Sequence, residues 1–388
     1  MKIQINNAKS INGEIVNLFI DNNIVSKLEG NSSTSNNDNN IKHIDASNML
    51  VLGGAKDYWF LSTNQFKNYI LSNNLNSTGI SRIYNISTDF DESMPNTQID
   101  DSWLANKQYL SSNINDNKDI VLHQVVSTKN IPSLMNVLEY AKMHNKIVHI
   151  NAQIFNQHNM MGDDSHISTR LGLSQGLACY ETSSIAFMLE LIKQVKCNIS
   201  IYNISCAESL EIINQAKKYA KQHKFSITAN IDIHQLLLSH HDIGYFNTYA
   251  KFYPPLRSLD NQKLLVQGIL DNIIDGIYSG HKSVTIEDKQ APFASAIVGA
   301  SSAEIFIALL FKLANLHNME LSTVLHKAGI STNVDDMISN QNNRSHGIVL
   351  FNPNHEYVLN EHSFNTHNNA NASPFLGYAI QGKVFYSI

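Results

Sequence analysis

Apolar and polar positions along the chain follow two different rhythms. Residues 1–52 carry short apolar runs that alternate or cluster, Lys2–Ile5, Ile15–Ile20 and Ile24–Leu28, bracketed by turn signals at Asn12-Gly13 and Asp21-Asn22-Asn23. Runs of that kind between turns predict β-strands. The stretch Asn31–Asn40, NSSTSNNDNN, has no apolar residue and reads as the tip of a surface loop. From about residue 50, short apolar runs alternate with longer helical patterns. VLGGA (51–55), SRIYNI (81–86), DIVLHQVV (119–126), KIVHINA (146–152), NISIYNIS (198–205) and FSITANI (225–231) are strand candidates. SLMNVLEYAKMH (133–144), ETSSIAFMLELIKQ (181–194) and SLEIINQAKKYAKQH (209–223) read as helices. Strand then helix, repeated over most of the chain, predicts parallel strands joined by crossover helices. A unit of this size favours a closed (β/α)8 TIM barrel over an open doubly wound sheet. The tail returns to strands at GIVLFNP (347–353) and GYAIQGKVFYSI (377–388), with a His- and Asn-rich linker, EHSFNTHNNANAS, between them. The expected organisation is a barrel domain over residues 53–344 and a small β domain from both termini, residues 1–52 plus 345–388.

Composition narrows the function. The 388 residues are 43% hydrophobic, enough for a large core, and only 16% charged, below the ~25% of an average globular chain. A net charge of -5 argues against a basic nucleic-acid surface or an anionic-membrane surface as the main function. No apolar run approaches the ~18 residues of a spanning helix, and MKIQINNAKS lacks the apolar stretch of a secretory signal. Three cysteines without metal spacing (Cys179, Cys197, Cys206) fit a reduced cytoplasm. No phosphate-loop motif and no GxGxxG is present, which weakens a nucleotide-binding reading. Seventeen histidines in an α/β barrel direct attention to the C-terminal ends of the strands, where loops build metal and catalytic sites.

Six segments carry a resemblance: IDASNMLVLGGAKDYWFL (44–61), STRLGLSQG (168–176), ISIYNISCAESLEIINQAK (199–217), KFYPPLRSLDNQKLLVQGILDNIIDGIYSGH (251–281), APFASAIVG (291–299) and SPFLGYAIQGKV (373–384). In order and spacing they resemble the cyclic amidohydrolases, dihydroorotases in particular. The resemblance implies a (β/α)8 barrel with a small β domain from both termini, in accord with the periodicity. It also implies a binuclear metal site, and here the chain departs from the pattern. The family's His-x-His falls on Trp59 and Leu61, and the following Arg, which holds the substrate carboxylate, on Thr63. The next ligand histidine falls on Asn151, with Gln153 in place of a Glu, and the second single histidine on Asn203. The Asp that serves as ligand and general base falls on Gly280, and the second His of that motif on Val284. The bridging carboxylate falls near Ser127–Asn130, a window that contains Lys129. Amide oxygens are poor zinc ligands beside imidazole, and glycine offers no base. Neutral residues at these positions read as a pocket rebuilt without metal and without its charges.

Possible retained pocket residues are Asn96 (in Met94-Pro95-Asn96-Thr97, with NIST at 85–88 as the alternative match), His149, His234, Arg257 and His281, although Tyr253 replaces the Asn before Pro-Pro. Each also has a structural reading: Arg257 as a loop anchor, the histidines as satisfied polar groups at strand ends. His149 lies two residues before Asn151, on the same side of its strand but at a different depth. Cys206, without base or metal, has no nucleophilic role. Three functions compete. The first is a non-catalytic, oligomeric dihydroorotase homologue of pyrimidine biosynthesis, with no cofactor, that partners aspartate carbamoyltransferase. The second is an active, zinc-dependent dihydroorotase interconverting carbamoyl aspartate and dihydroorotate through displaced ligands (His149, His281, His234, Lys129). The third is a small-molecule sensor in which Arg257 and Asn96 hold a carboxylate.

Overall fold

The computed structural model describes residues 2–21, 24–28, 41–59, 78–85, 120–122, 131–153, 160–339, 347–364 and 371–387. Several sequence expectations lie outside these residues: the 31–40 loop tip, Leu61, Thr63, Asn96 with its neighbours 94–97, and the 127–130 window with Lys129. In chain order the strands are β1 (Lys2–Lys9), β2 (Ile15–Asp21), β3 (Ile24–Lys27), β4 (Ile41–Asp45), β5 (Leu50–Gly53), β6 (Ala55–Trp59), β7 (Ile80–Asn85) and β8 (Ile120–Leu122). They continue with β9 (Val148–Asn151), β10 (Gly162–Asp163), β11 (Gln175–Gly176), β12 (Ile199–Ile204), β13 (Ile227–Asp232), β14 (Gly276–Tyr278), β15 (Ile348–Val358) and β16 (Ala379–Ser387).

Strands from the two ends of the chain share one seven-stranded sheet in the order β16-β15-β5-β1-β2-β3, with β4 beside β1. Period-two alternation builds it: β2 buries Val16, Leu18 and Ile20 and turns the residues between them outward. These side chains pack with Ile3, Ile5, Ile348 and Leu350 in an apolar cluster of their own. β4, IKHID, has no buried residue and therefore no alternation for sequence reading to detect.

The middle of the chain forms a five-stranded parallel run, β14-β13-β12-β9-β8, and a separate parallel pair, β6-β7. All four residues of β9 are buried, as expected of parallel strands covered on both faces. The helix Ala178–Val195 covers this sheet with Ile185, Met188, Leu189 and Ile192, the i, i+3, i+4, i+7 set of one helical face. The helix Glu208–Gln222 does so with Leu210, Ile213, Ala216 and Ala220. Asp57 of β6 ties the parallel pair to the end of β14, accepting from Ser279 N at 2.8 Å and from the Ser279 hydroxyl. Among the described residues no helix is long and apolar enough to cross a membrane.

Candidate functional site

Parallel strands deliver their C-terminal residues to one end of the sheet. Asn151 closes β9, Asp232 closes β13, and Tyr278 closes β14 ahead of Ser279, Gly280 and His281. Asn203 reaches the same end by a bulge: the β12–β13 register shifts between Ile201 and Ile204, and Asn203 adopts φ 60. Asparagine tolerates the left-handed region better than most residues, and bulges re-aim side chains beside sites.

The amides that stand at the family's ligand positions bond to one another. Asn151 Oδ1 accepts from Gln153 N at 3.0 Å and from Asn203 Nδ2 at 3.4 Å. Tyr278 donates its hydroxyl to Asn203 Oδ1 at 2.8 Å and accepts from Asn203 N at 3.1 Å. Burial, with Asp232 nearby, holds the Tyr278 phenol well above its ordinary range, so it remains a neutral donor. Gln153 donates to the buried carboxylate of Glu181 at 2.8 Å. Glu181 also accepts from Ser205 N, Ser205 Oγ, Cys206 N and Ser209 Oγ. Burial, reinforced by Glu181, raises the Cys206 thiol far above neutrality, which removes it as a thiolate nucleophile.

Arg257 faces this buried layer. Its Nη1 donates to Gly176 O at 2.5 Å and its Nε to Ser205 Oγ at 3.3 Å, and the residue is 5% exposed. Its guanidinium thus joins the 176 turn to the β12 end, with Asp164 at 3.9 Å.

A second chain of contacts runs through the histidines. His234 Nδ1 meets Asp232 Oδ1 at 2.6 Å, and His234 N donates to the same oxygen at 2.7 Å, which caps the short helix Ile233–Leu237. His234 Nε2 lies 3.0 Å from the Ser302 hydroxyl, and the ring packs between Phe252 and Phe375. Ser302 N donates to His281 Nδ1 at 3.1 Å, and His281 N donates to Ser279 Oγ at 3.0 Å. Asp232, His234 and Ser302 have the connectivity of a hydrolytic triad. Ser302 is 0% exposed, however, so its hydroxyl cannot meet an electrophile. Burial, and His234 beside it, push His281 down to about 3, so its ring is neutral.

The resemblance places neutral residues at the family's ligand positions, and Asp232 was not among the residues expected beside them. The structure brings a carboxylate back from the neighbouring strand: a Cβ on Gly280 would lie 1.9 Å from Asp232 Oδ2 and 2.3 Å from Oδ1. Gly280 has φ +59, so glycine is favoured there on backbone grounds too. Sequence reasoning named His234 and passed over Asp232. The available signal was the Asp-x-His spacing at a strand end followed by a helix. Glu181 was missed as well, because nothing in a helical pattern marks one glutamate as buried.

The described residues at the strand ends do not fit a binuclear zinc centre. Such a centre needs imidazole or carboxylate donors with open lone pairs. Asn151 and Asn203 have amide oxygens already engaged, Gly280 has no side chain, and both ring nitrogens of His234 are in contact with protein partners. His149 lies inside β9, paired in register with Ser200 and Val121. Among the described residues no group of three or more His, Cys, Asp or Glu side chains is placed to hold a metal ion. Trp59 ends β6.

The chain has curated relatives. It is 29% identical over 218 residues to a dihydroorotase of Ligilactobacillus salivarius, covering 55% of this chain and 49% of the relative. It is 26% identical over 262 residues to a probable dihydroorotase-like protein of Synechocystis, covering 65% of this chain and 57% of that protein. The chain thus spans about half the length of the curated relatives it matches. In structure it superposes on the L-hydantoinase (dihydropyrimidinase) of Arthrobacter aurescens with a TM-score of 0.71, at 15% identity, over 100% of this chain and 94% of that one. Sequence and fold support the cyclic amidohydrolase family. No family profile matches the chain.

Proposed function

We propose that the chain is a dihydroorotase-like protein of pyrimidine biosynthesis that has lost hydrolysis and serves, in the cytoplasm and as an oligomer, as a structural partner of aspartate carbamoyltransferase. In this reading the parallel strands belong to a closed (β/α)8 barrel, and the sheet from both termini is a domain at its side. One observation carries the proposal. On the resemblance, Asn151, Asn203 and Gly280 stand where dihydroorotases carry two imidazoles and a carboxylate; Asn151 and Asn203 are hydrogen-bonded to each other, and Asp232 fills the space over Gly280. Losing one ligand weakens a metal site; losing ligands and base together removes the water activation on which cyclic amide hydrolysis depends. Keeping the scaffold without the reaction leaves assembly as the function it serves.

Two measurements on the purified protein test the reading. Elemental analysis with a dihydroorotate turnover assay is expected to give sub-stoichiometric zinc and no turnover above background. Mixing with the cognate transferase at low salt is expected to give a co-eluting complex. Stoichiometric zinc with turnover, or no co-elution, would overturn it.

A further inference from the structure

We propose that the groove between the helix Phe306–Leu316 and the β15–β16 pair is a binding site for a small carboxylate with an apolar body, and that the Lys312 ammonium pairs with the carboxylate. The inference goes beyond the functional reading above and does not rest on it.

Helical spacing delivers one side of the groove. Ala308, Phe311, Lys312, Asn315 and Leu316 fall at i, i+3, i+4, i+7 and i+8, a single helical face. The opposite side comes from Pro353 and Asn354 of β15 and from Ile380 and Gln381 of β16. Between them lies a cavity of about 470 Å³, within the ~300–1,000 Å³ of small-molecule sites. Ala308 and Ile380 are buried in its lining, and Phe311 is braced by the Phe351 ring at 4.6 Å. Leu316, 55% exposed, extends the apolar lining to the solvent.

The sign of the site follows from its lining. Among the described residues, the lining holds one cation, Lys312, three carboxamides and no carboxylate. The Lys312 Nζ stands 4.9 Å from the centroid of the Phe375 ring and 6.0 Å from that of Tyr378. Cation–π attraction holds the ammonium in place and leaves its N–H donors for a charged acceptor. Burial lowers this ammonium from its ordinary value and Asp242 opposes the shift. The Oδ2 of Asp242 is itself engaged by Ser239 N at 2.7 Å and by the Ser239 hydroxyl at 3.3 Å. A solvent-accessible ion pair contributes little by itself, so the apolar lining supplies affinity and Lys312 supplies selectivity for an anion. The carboxamides of Asn315, Asn354 and Gln381 offer donors and acceptors to a ligand's remaining polar atoms without changing that sign. A cationic ligand of the same shape would meet Lys312 as a like charge.

The test uses the full chain with cinnamate as probe and cinnamylammonium as the opposite-charge control, read by calorimetric titration and ligand-observed NMR. Wild type is expected to bind cinnamate saturably and to show no binding of cinnamylammonium. Lys312→Met, which keeps the apolar stem, is expected to weaken binding by about fivefold or more, and Lys312→Arg, which keeps the charge, to stay within about threefold of wild type. Ala379→Trp, at an exposed position of the lining, is expected to fill the groove and abolish binding. Lys383→Met, on the same strand but stacked on Tyr357, is expected to bind as wild type does. Circular dichroism confirms the fold of each variant. No saturable binding, a loss below about fivefold in Lys312→Met, an equal loss in Lys312→Arg or Lys383→Met, binding retained in Ala379→Trp, or displacement of the probe by cinnamylammonium would overturn the proposal. None of these readings depends on zinc, turnover or the transferase, so failure here is distinguishable from failure of the functional reading above.

Discussion

At the scale of single residues, burial decides protonation, and protonation decides what a side chain can do. His281 is the sharpest case. Burial and the neighbouring His234 push it down to about 3, and its Nδ1 is used as an acceptor for Ser302 N. An unfolded histidine titrates near 6.5. As pH falls below that value the unfolded chain takes up a proton that the folded ring refuses. The stabilisation is thus complete above about pH 6.5 and is lost as pH falls toward 3, amounting at the limit to about 4–5 kcal/mol. Unfolding free energies from urea titrations at pH 7 and pH 5 should differ by about 2 kcal/mol through this group in wild type. In His281→Gln, whose amide oxygen can still accept from Ser302 N, that difference should shrink; equal slopes in both proteins would contradict the account.

At the scale of elements, the segment from Pro292 to Gly299 shows how a loop without regular structure is held. Two buried lysines reach into its carbonyls. Lys251 Nζ donates to Ala294 O at 2.9 Å and to Ala296 O at 2.8 Å, and Lys289 Nζ donates to Ile297 O at 2.7 Å and to Thr248 O at 3.0 Å. Burial, with Lys282 and Lys251 nearby, lowers Lys289 to about 7. A neutral amine has two N–H donors, which matches its two carbonyl acceptors. A folded pKa below the unfolded value of about 10.4 means that the unfolded chain holds the extra proton between those limits, so stability from this group rises as pH increases from about 7 to 10. Lys289→Met keeps the apolar stem and removes the donor to Ile297 O, while Thr248 O keeps the Lys251 N–H at 3.2 Å. It should destabilise by about 1–3 kcal/mol and speed proteolysis within residues 290–299. Unchanged proteolysis would show that Lys251 suffices.

At the scale of the whole molecule, the two ends of the chain complete one sheet. β5 pairs with β15 from Ile348↔Gly53 to Phe351↔Leu50, and β16 covers the other edge of β15. Contacts this distant in sequence close late in folding. A chain stopped after Gly377 loses β16, uncovering Phe351 and Val349 of β15. It should elute as aggregate in size-exclusion chromatography; a monodisperse peak of native secondary structure would show the sheet to be stable without its last strand.

Much of this architecture was legible beforehand, because period-two and 3.6-residue spacings mark which faces are buried. The helices Ala178–Val195 and Glu208–Gln222 lie within a few residues of their expected bounds. β14 was not anticipated, since three residues carry no period, and β4 was missed because nothing in it is buried. At the candidate site, the placing of Asn151, Asn203 and Gly280 at the family's ligand positions comes from the resemblance, and the structure brings Asn151 and Asn203 into contact with each other. The charge was not legible, because Asp232 reaches the space over Gly280 from another strand.

Residue types and their spacing by themselves determined the alternation of strands and helices and the resemblance to dihydroorotases, since each is a property of order along the chain. Tertiary structure decided the return of a carboxylate to the strand ends, the neutral state of His281 and the use of Arg257 as a brace. The physical reason is that a side chain's charge and reach depend on burial and on partners tens of residues away, which no local pattern encodes.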